Sequence, residues 1–231
     1  MAVGFWDLEI AKQERFETDR IDEFWEHFTR SMNATSKKLS DKEEEATVED
    51  HDGDEHSYQN YIDHLNDQQA HLGYVQHLGE ELLILALFKE TEITTNGMID
   101  RYFPQIPTRE RHKTYQVRKW LPFKMKGLPH FRAWDELRCI SNSIKHAGLV
   151  SPELANYSGW HVGEELTKVR DAYVRLRPLV QKYIRAFAAT SRTHQNTYAK
   201  RLSRWEQLYH FIRAKMQRVF TFFLNLFRAF R

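Results

Sequence analysis

Apolar residues recur every three or four positions along most of this 231-residue chain, the spacing of one helix face. Ile21, Phe24, Trp25, Phe28 and Met32 form one stripe, which predicts a helix over 4–32. The pattern breaks over 33–56. Between Asp41 and Glu55 stand nine acids and one Lys, with Val48 the single large apolar side chain. Burial there cannot offset the entropy of ordering, so an acidic flexible linker is expected, with an acidic partner-binding or RNA-mimicking segment as the alternative. A second helix is predicted over 57–89, ending in Leu82-Leu83-Ile84-Leu85-Ala86-Leu87-Phe88, which is apolar all round and suits a central core position. Asn96-Gly97, Pro104 and Pro107 make 91–107 a loop. A basic helix over 108–120 comes next, then a turn at 122–129 and a helix over 130–147 closed by Gly148. Ser151-Pro152-Glu153-Leu154 predicts one helical turn. A further helix spans 162–177, and Pro178 either kinks it or starts another that runs to 190. No stretch alternates as strands do. The class is all-α.

Composition changes this picture little, and charge changes it more. Hydrophobic residues at 41% and aromatics at 13% indicate a globular chain. No run of 18 apolar residues is present to span a bilayer, and residues 1–25 lack the apolar core of a signal peptide. Cys139 is the one cysteine, so a reducing, cytoplasmic setting is expected. From Gln195 to Arg231 eight Lys/Arg face one acid, Glu206, which leaves residues 1–194 at −5 out of a total of +2. Leu202, Trp205, Leu208, Ile212, Met216, Val219, Phe220, Phe223 and Phe227 give that end an apolar face. A basic amphipathic helix of this kind packs on a core or second copy, lies on a membrane surface, or docks on a partner. The chain thus divides into a helix (1–32), an acidic linker (33–56), a helical bundle (57–194) and a basic C-terminal helix (195–231).

The helix over 130–147 carries the candidate chemistry. Trp134, Leu137, Ile140, Ile144 and Ala147 fall on one arc. Arg138, Asn142 and His146, four residues apart, climb the adjoining flank with Asp135. In metal-independent RNA cleavage the 2′-hydroxyl attacks phosphorus. An imidazole can serve as acid or base, and a guanidinium can hold the phosphate oxygens. Arg138 and His146 are separated by about 12 Å of helix rise, so only two copies packed antiparallel could bring such groups together. The competing reading is a solvated flank, with Asp135 and Arg138 paired at i, i+3 and Lys145 and His146 complementing the helix C-terminus. The scattered histidines His56, His64, His71 and His77 lack metal-ligand spacing, and no metal or cofactor is expected.

Glu136-Leu137-Arg138 followed by Ser141-Asn142-Ser143-Ile144-Lys145-His146-Ala147-Gly148 resembles the signature helix of the HEPN (higher eukaryotes and prokaryotes nucleotide-binding) superfamily. The resemblance covers roughly residues 57–190. It implies an all-α HEPN-like bundle, a homodimer and, in active members, a metal-independent endoribonuclease of the toxin–antitoxin or phage-defence kind. RNA would be the substrate, and an antitoxin or defence protein the partner. It implies His146 as acid or base, Asn142 as phosphate-orienting, Arg138 as charge-stabilising and Lys145 as an RNA contact. In the family motif an Arg directly precedes the Asn-like residue, and here that place is Ser141. The alternative is a non-catalytic RNA- or partner-binding member, membrane-associating through 197–231.

Overall fold

The structure is a computed structural model that describes residues 16–104, 106–111, 117–146 and 148–195. Residues 1–15 of the first predicted helix, the 112–116 stretch with His112, and residues 196–231 of the predicted basic helix lie outside it. Five α-helices carry the described chain. They are α1 (Asp19–Glu45), α2 (Glu55–Tyr102), the single turn α3 (Thr108–Arg111), α4 (Phe131–His146) and α5 (residues 169–195), with 3₁₀ turns at Glu49–His51, Met125–Gly127 and Leu154–Asn156. Among the described residues no strand forms, and the one extended contact is a bridge between Leu149 and Glu165. The chain is all-α, as its periodicity requires.

The expected acidic linker is not one. α1 continues without a break through residues 33–45 and turns back on α2. Acid density is a poor guide here because no Gly or Pro interrupts residues 33–45, Lys37 and Lys38 precede the acids and Lys42 divides them, and Leu39 is buried at 8% exposure. The connection is a tight turn. Thr47 donates from its backbone N (3.0 Å) and its hydroxyl (2.8 Å) to Asp50, and Asp52 and Gly53 adopt left-handed φ of 54° and 75°. The two Thr47 bonds, side chain first, hold the Asp50 carboxyl below its ordinary value. Asp54 then caps α2 by accepting from the His56 backbone N–H at 3.1 Å. Further along the hairpin the Phe28 ring lies directly on Gly79 of α2, where any Cβ would collide with it.

α2 also runs past its expected end, through Asn96-Gly97, for 48 residues. Threonines supply the missing core positions: Thr91, Thr94 and Thr95 are buried beside Met98, Ile99 and Tyr102. The Thr91 hydroxyl is satisfied by the Leu87 carbonyl at 2.7 Å. Gly97 faces open space, so its presence costs the helix propensity without costing packing. Pro104, one residue past the Phe103 cap, stops the helix.

Residues 162–168, expected as the start of a helix, are a loop. It is tied to residues 148–150 by Val150 N–H to Glu164 O (2.8 Å), Gly163 N–H to Val150 O (3.0 Å) and Leu166 N–H to Gly148 O (3.2 Å). α5 then passes through Pro178 as one helix. Pro178 leaves the Val174 carbonyl without its helical donor, and Val174 is 64% exposed, so water can take that place. The core lies where α4 and α5 meet the second half of α2. Leu83, Ile84, Leu87, Ile99, Leu137, Ile140, Tyr183 and Phe187 are all below 2% exposure there. Trp134 stacks on Tyr183 with ring centroids 5.7 Å apart. α1 is tied to α5 by Arg177 to Asp22 (2.6 Å) and by the Tyr173 hydroxyl donating to Asp22 (3.0 Å).

Candidate functional site

α4 buries a wider face than its apolar residues alone suggest. Besides Trp134, Leu137 and Ile140, it buries Glu136, Cys139, Ser141 and Ser143. Gly148 ends the helix as expected, with φ +67° and its N–H on the Ser143 carbonyl at 3.0 Å. The turn expected at 151–154 also forms: Ser151 Oγ accepts from the Leu154 backbone N–H at 3.2 Å. This turn matters because it carries Glu153 and Tyr157 onto the polar flank of α4.

There Arg138 is held by two carboxylates. Its Nε donates to Asp135 Oδ1 at 2.8 Å, and its Nη2 lies 3.3 Å from both Glu153 Oε2 and Cys139 Sγ. The Tyr157 hydroxyl donates to the other Asp135 oxygen at 2.9 Å. Burial lowers the Arg138 pKa, but the hydrogen bond it donates to Asp135 and the nearby negative groups outweigh it, and the net shift is upward. Burial pushes the Cys139 thiol up to about 11, against the opposing pull of Arg138, which leaves it a poor nucleophile at neutral pH. Burial first, and then the bond to Asp135, raise Tyr157.

The other predicted site residues stand apart from this cluster. Asn142 is half-buried one turn along, and Lys145 and His146 are exposed at the end of the helix. The Lys145 ammonium sits 5.0 Å from the centre of the Phe88 ring. Arg138 and His146 share a flank, as the spacing predicts, yet remain two turns apart. Ser141, at the position where the family motif has Arg, points the other way: it is 0% exposed and its hydroxyl has no hydrogen-bond partner. His161 is exposed in the loop before α5. Among the described residues, no group of His, Cys, Asp and Glu is arranged to hold a metal ion, and no helix is long and apolar enough to cross a membrane.

A second polar cluster on α4 escaped sequence reasoning. Glu136, at 5% exposure, accepts from Trp160 Nε1 at 3.0 Å and from both terminal nitrogens of Arg175, at 2.6 and 3.0 Å. The bond to Glu136 outweighs desolvation and raises Arg175. Arg132, Tyr157, Ser158 and Leu179 complete an open cleft of about 430 Å³ over this pair. The local signal was a lone carboxylate beside Ile140 on the core arc, but its partners are 24 and 39 residues away, beyond any helical spacing. The one acid that lines the cleft, Glu136, is thus paired with Arg175, while the Arg132 guanidinium lies over the Tyr157 ring.

No family model matches the chain, and neither a curated protein nor a solved structure matches it.

Proposed function

We propose that this protein is a helical binding module that holds another protein, with the architecture of a HEPN-like domain and without its ribonuclease chemistry. The observation that carries the reading is the engagement of Arg138. A guanidinium that must meet a developing phosphorane charge has to be free to do so. Here it bonds Asp135 and Glu153, two carboxylates that would also repel a phosphate. Buried Ser141 leaves no room for an arginine at the motif position, and His146 stands two turns from Arg138, exposed at the end of the helix. The same contacts make good structural sense, because they pin α4 to the 151–157 turn.

The test is incubation of the purified protein with structured and single-stranded RNAs in excess EDTA, with His146→Ala and Arg138→Ala alongside. The expected outcome is no cleavage by any of the three. Cleavage by the wild type that disappears in folded His146→Ala refutes the reading and restores the endoribonuclease, in which His146 acts as acid or base.

A further inference from the structure

The apolar run of α2 is covered on one side only. Leu83, Ile84, Leu87 and Phe88 enter the core, whereas Tyr74, Leu78, Leu82 and Ile93 are 77, 54, 45 and 55% exposed. At about 100° per residue these four fall within an arc of roughly 100°, opposite the bundle, with half-buried Leu85 between them. Scattered exposed apolar residues are ordinary, but a stripe aligned along one helix marks a contact surface.

We propose that this stripe is the seat of a two-fold, antiparallel contact between two copies of the chain, with Leu78 on the axis. The proposal deepens the protein-binding reading above by naming the partner. Charge selects both the partner and the direction. With Leu78 on the axis, Tyr74 of one copy faces Leu82 of the other and His71 faces Leu85, while Ile93 falls level with Asp63 at the edge of the contact. Exposed Asp67 faces Lys89, and His64 faces Glu92. Lys89 is 69% exposed and its ammonium is 3.8 Å from its own Glu92, so Asp67 of the other copy would complete a small ionic group. A parallel pairing would instead set Lys89 on Lys89 and Asp67 on Asp67. Residues 64–92 span about 43 Å of helix. A specific contact of this kind needs to bury on the order of 1,200 Å² or more, and a two-fold contact is the commonest way for one surface to satisfy itself.

The test combines mass and register on the full chain. Sedimentation equilibrium of the wild type is expected to give a dimer. Leu78→Glu, at an exposed position that should leave the helical circular dichroism unchanged, is expected to weaken dimerisation at least tenfold. Under mild oxidation Leu78→Cys is expected to crosslink to itself. Tyr74→Cys and Leu82→Cys are each expected to remain uncrosslinked alone and to crosslink when mixed. The wild type serves as the blank because Cys139 is buried. A wild type that is monomeric at tens of micromolar assigns the stripe to another occupant and overturns the proposal. So does a dimer indifferent to Leu78→Glu, or one in which Tyr74→Cys crosslinks with itself. A monomer that leaves RNA intact removes the two-fold contact and keeps the binding-module reading. A dimer that cuts RNA does the reverse.

Discussion

Replacing Arg175 by Met tests how the buried carboxylate of Glu136 is held. The Glu136 side chain is 7% exposed and its partner Arg175 is 49% exposed. Breaking a fully buried ion pair costs roughly 3–5 kcal/mol, because a charge is left without compensation. A fully exposed pair is worth about 0–1 kcal/mol. This pair is buried at the acid end and wet at the guanidinium end, and the Trp160 indole N–H, 3.0 Å away, remains as a donor. Water reaching the vacated Arg175 position recovers part of the loss. The expected destabilisation of Arg175→Met is therefore about 2 kcal/mol, between the two limits. In a chain of this size that lowers the melting midpoint by about 4–8 °C. Urea unfolding followed by circular dichroism should show a lower midpoint with an unchanged slope. Combining Arg175→Met with Glu136→Leu should recover about 1–2 kcal/mol relative to the sum of the single changes, since the second change removes the stranded charge. A loss below about 0.5 kcal/mol for Arg175→Met, or strict additivity in the double variant, would show that the pair does not hold α4 to α5 and would refute this account.

Two further outcomes follow from the same helix. Gly148→Ala forces a Cβ into φ +67° and should cost about 1 kcal/mol without touching any neighbour, measurable as a urea midpoint shift; an unchanged midpoint contradicts the cap. Cys139 has a folded pKa of about 11 against an ordinary 9.0. The folded value is the higher one, so its contribution to stability is complete below about pH 9 and is lost as pH rises toward about 11. Cys139→Ala should flatten the alkaline fall in urea midpoint between about pH 9 and 11, and an unaltered fall would exclude burial of this thiol as a cause.

Where the decisive signals are local, the chain could be read directly. α4, its stop at Gly148 and the cap at Ser151 all follow from side chains within four or five residues of one another. The apolar stripe of α1 was equally plain. The continuation of α1 beyond Asn33 was not, because Leu39 gains its burial by packing in a hairpin whose other arm had to be known first. The end of α2 is not legible locally, because Asn96-Gly97 is turn chemistry in isolation, while Thr91, Thr94 and Thr95 act as core residues only when α4 and α5 are present. For the candidate site, a helical wheel placed Asp135, Arg138, Asn142 and His146 on one flank. The same wheel offered the Asp135–Arg138 pair as the competing reading, and that pair is what forms. It could not supply Glu153, which arrives 15 residues later on a separate turn and completes the engagement of Arg138.

The length of α2 carries a consequence for motion. At 1.5 Å per residue its 48 residues extend about 70 Å, well beyond the reach of a single core. Among the described residues its second half packs with α4 and α5, and its first half is held by α1 and by the His51 ring against Tyr58 and Tyr61, with Leu39 and Leu65 the buried apolar residues near the tip. One continuous helix therefore crosses two regions of different cohesion. Backbone amides near Glu55 should exchange with solvent through fraying of the two-helix arm, while those near Ile99 should wait for the whole core to open. The arm can breathe without disturbing the body, and the body cannot unfold without releasing the arm.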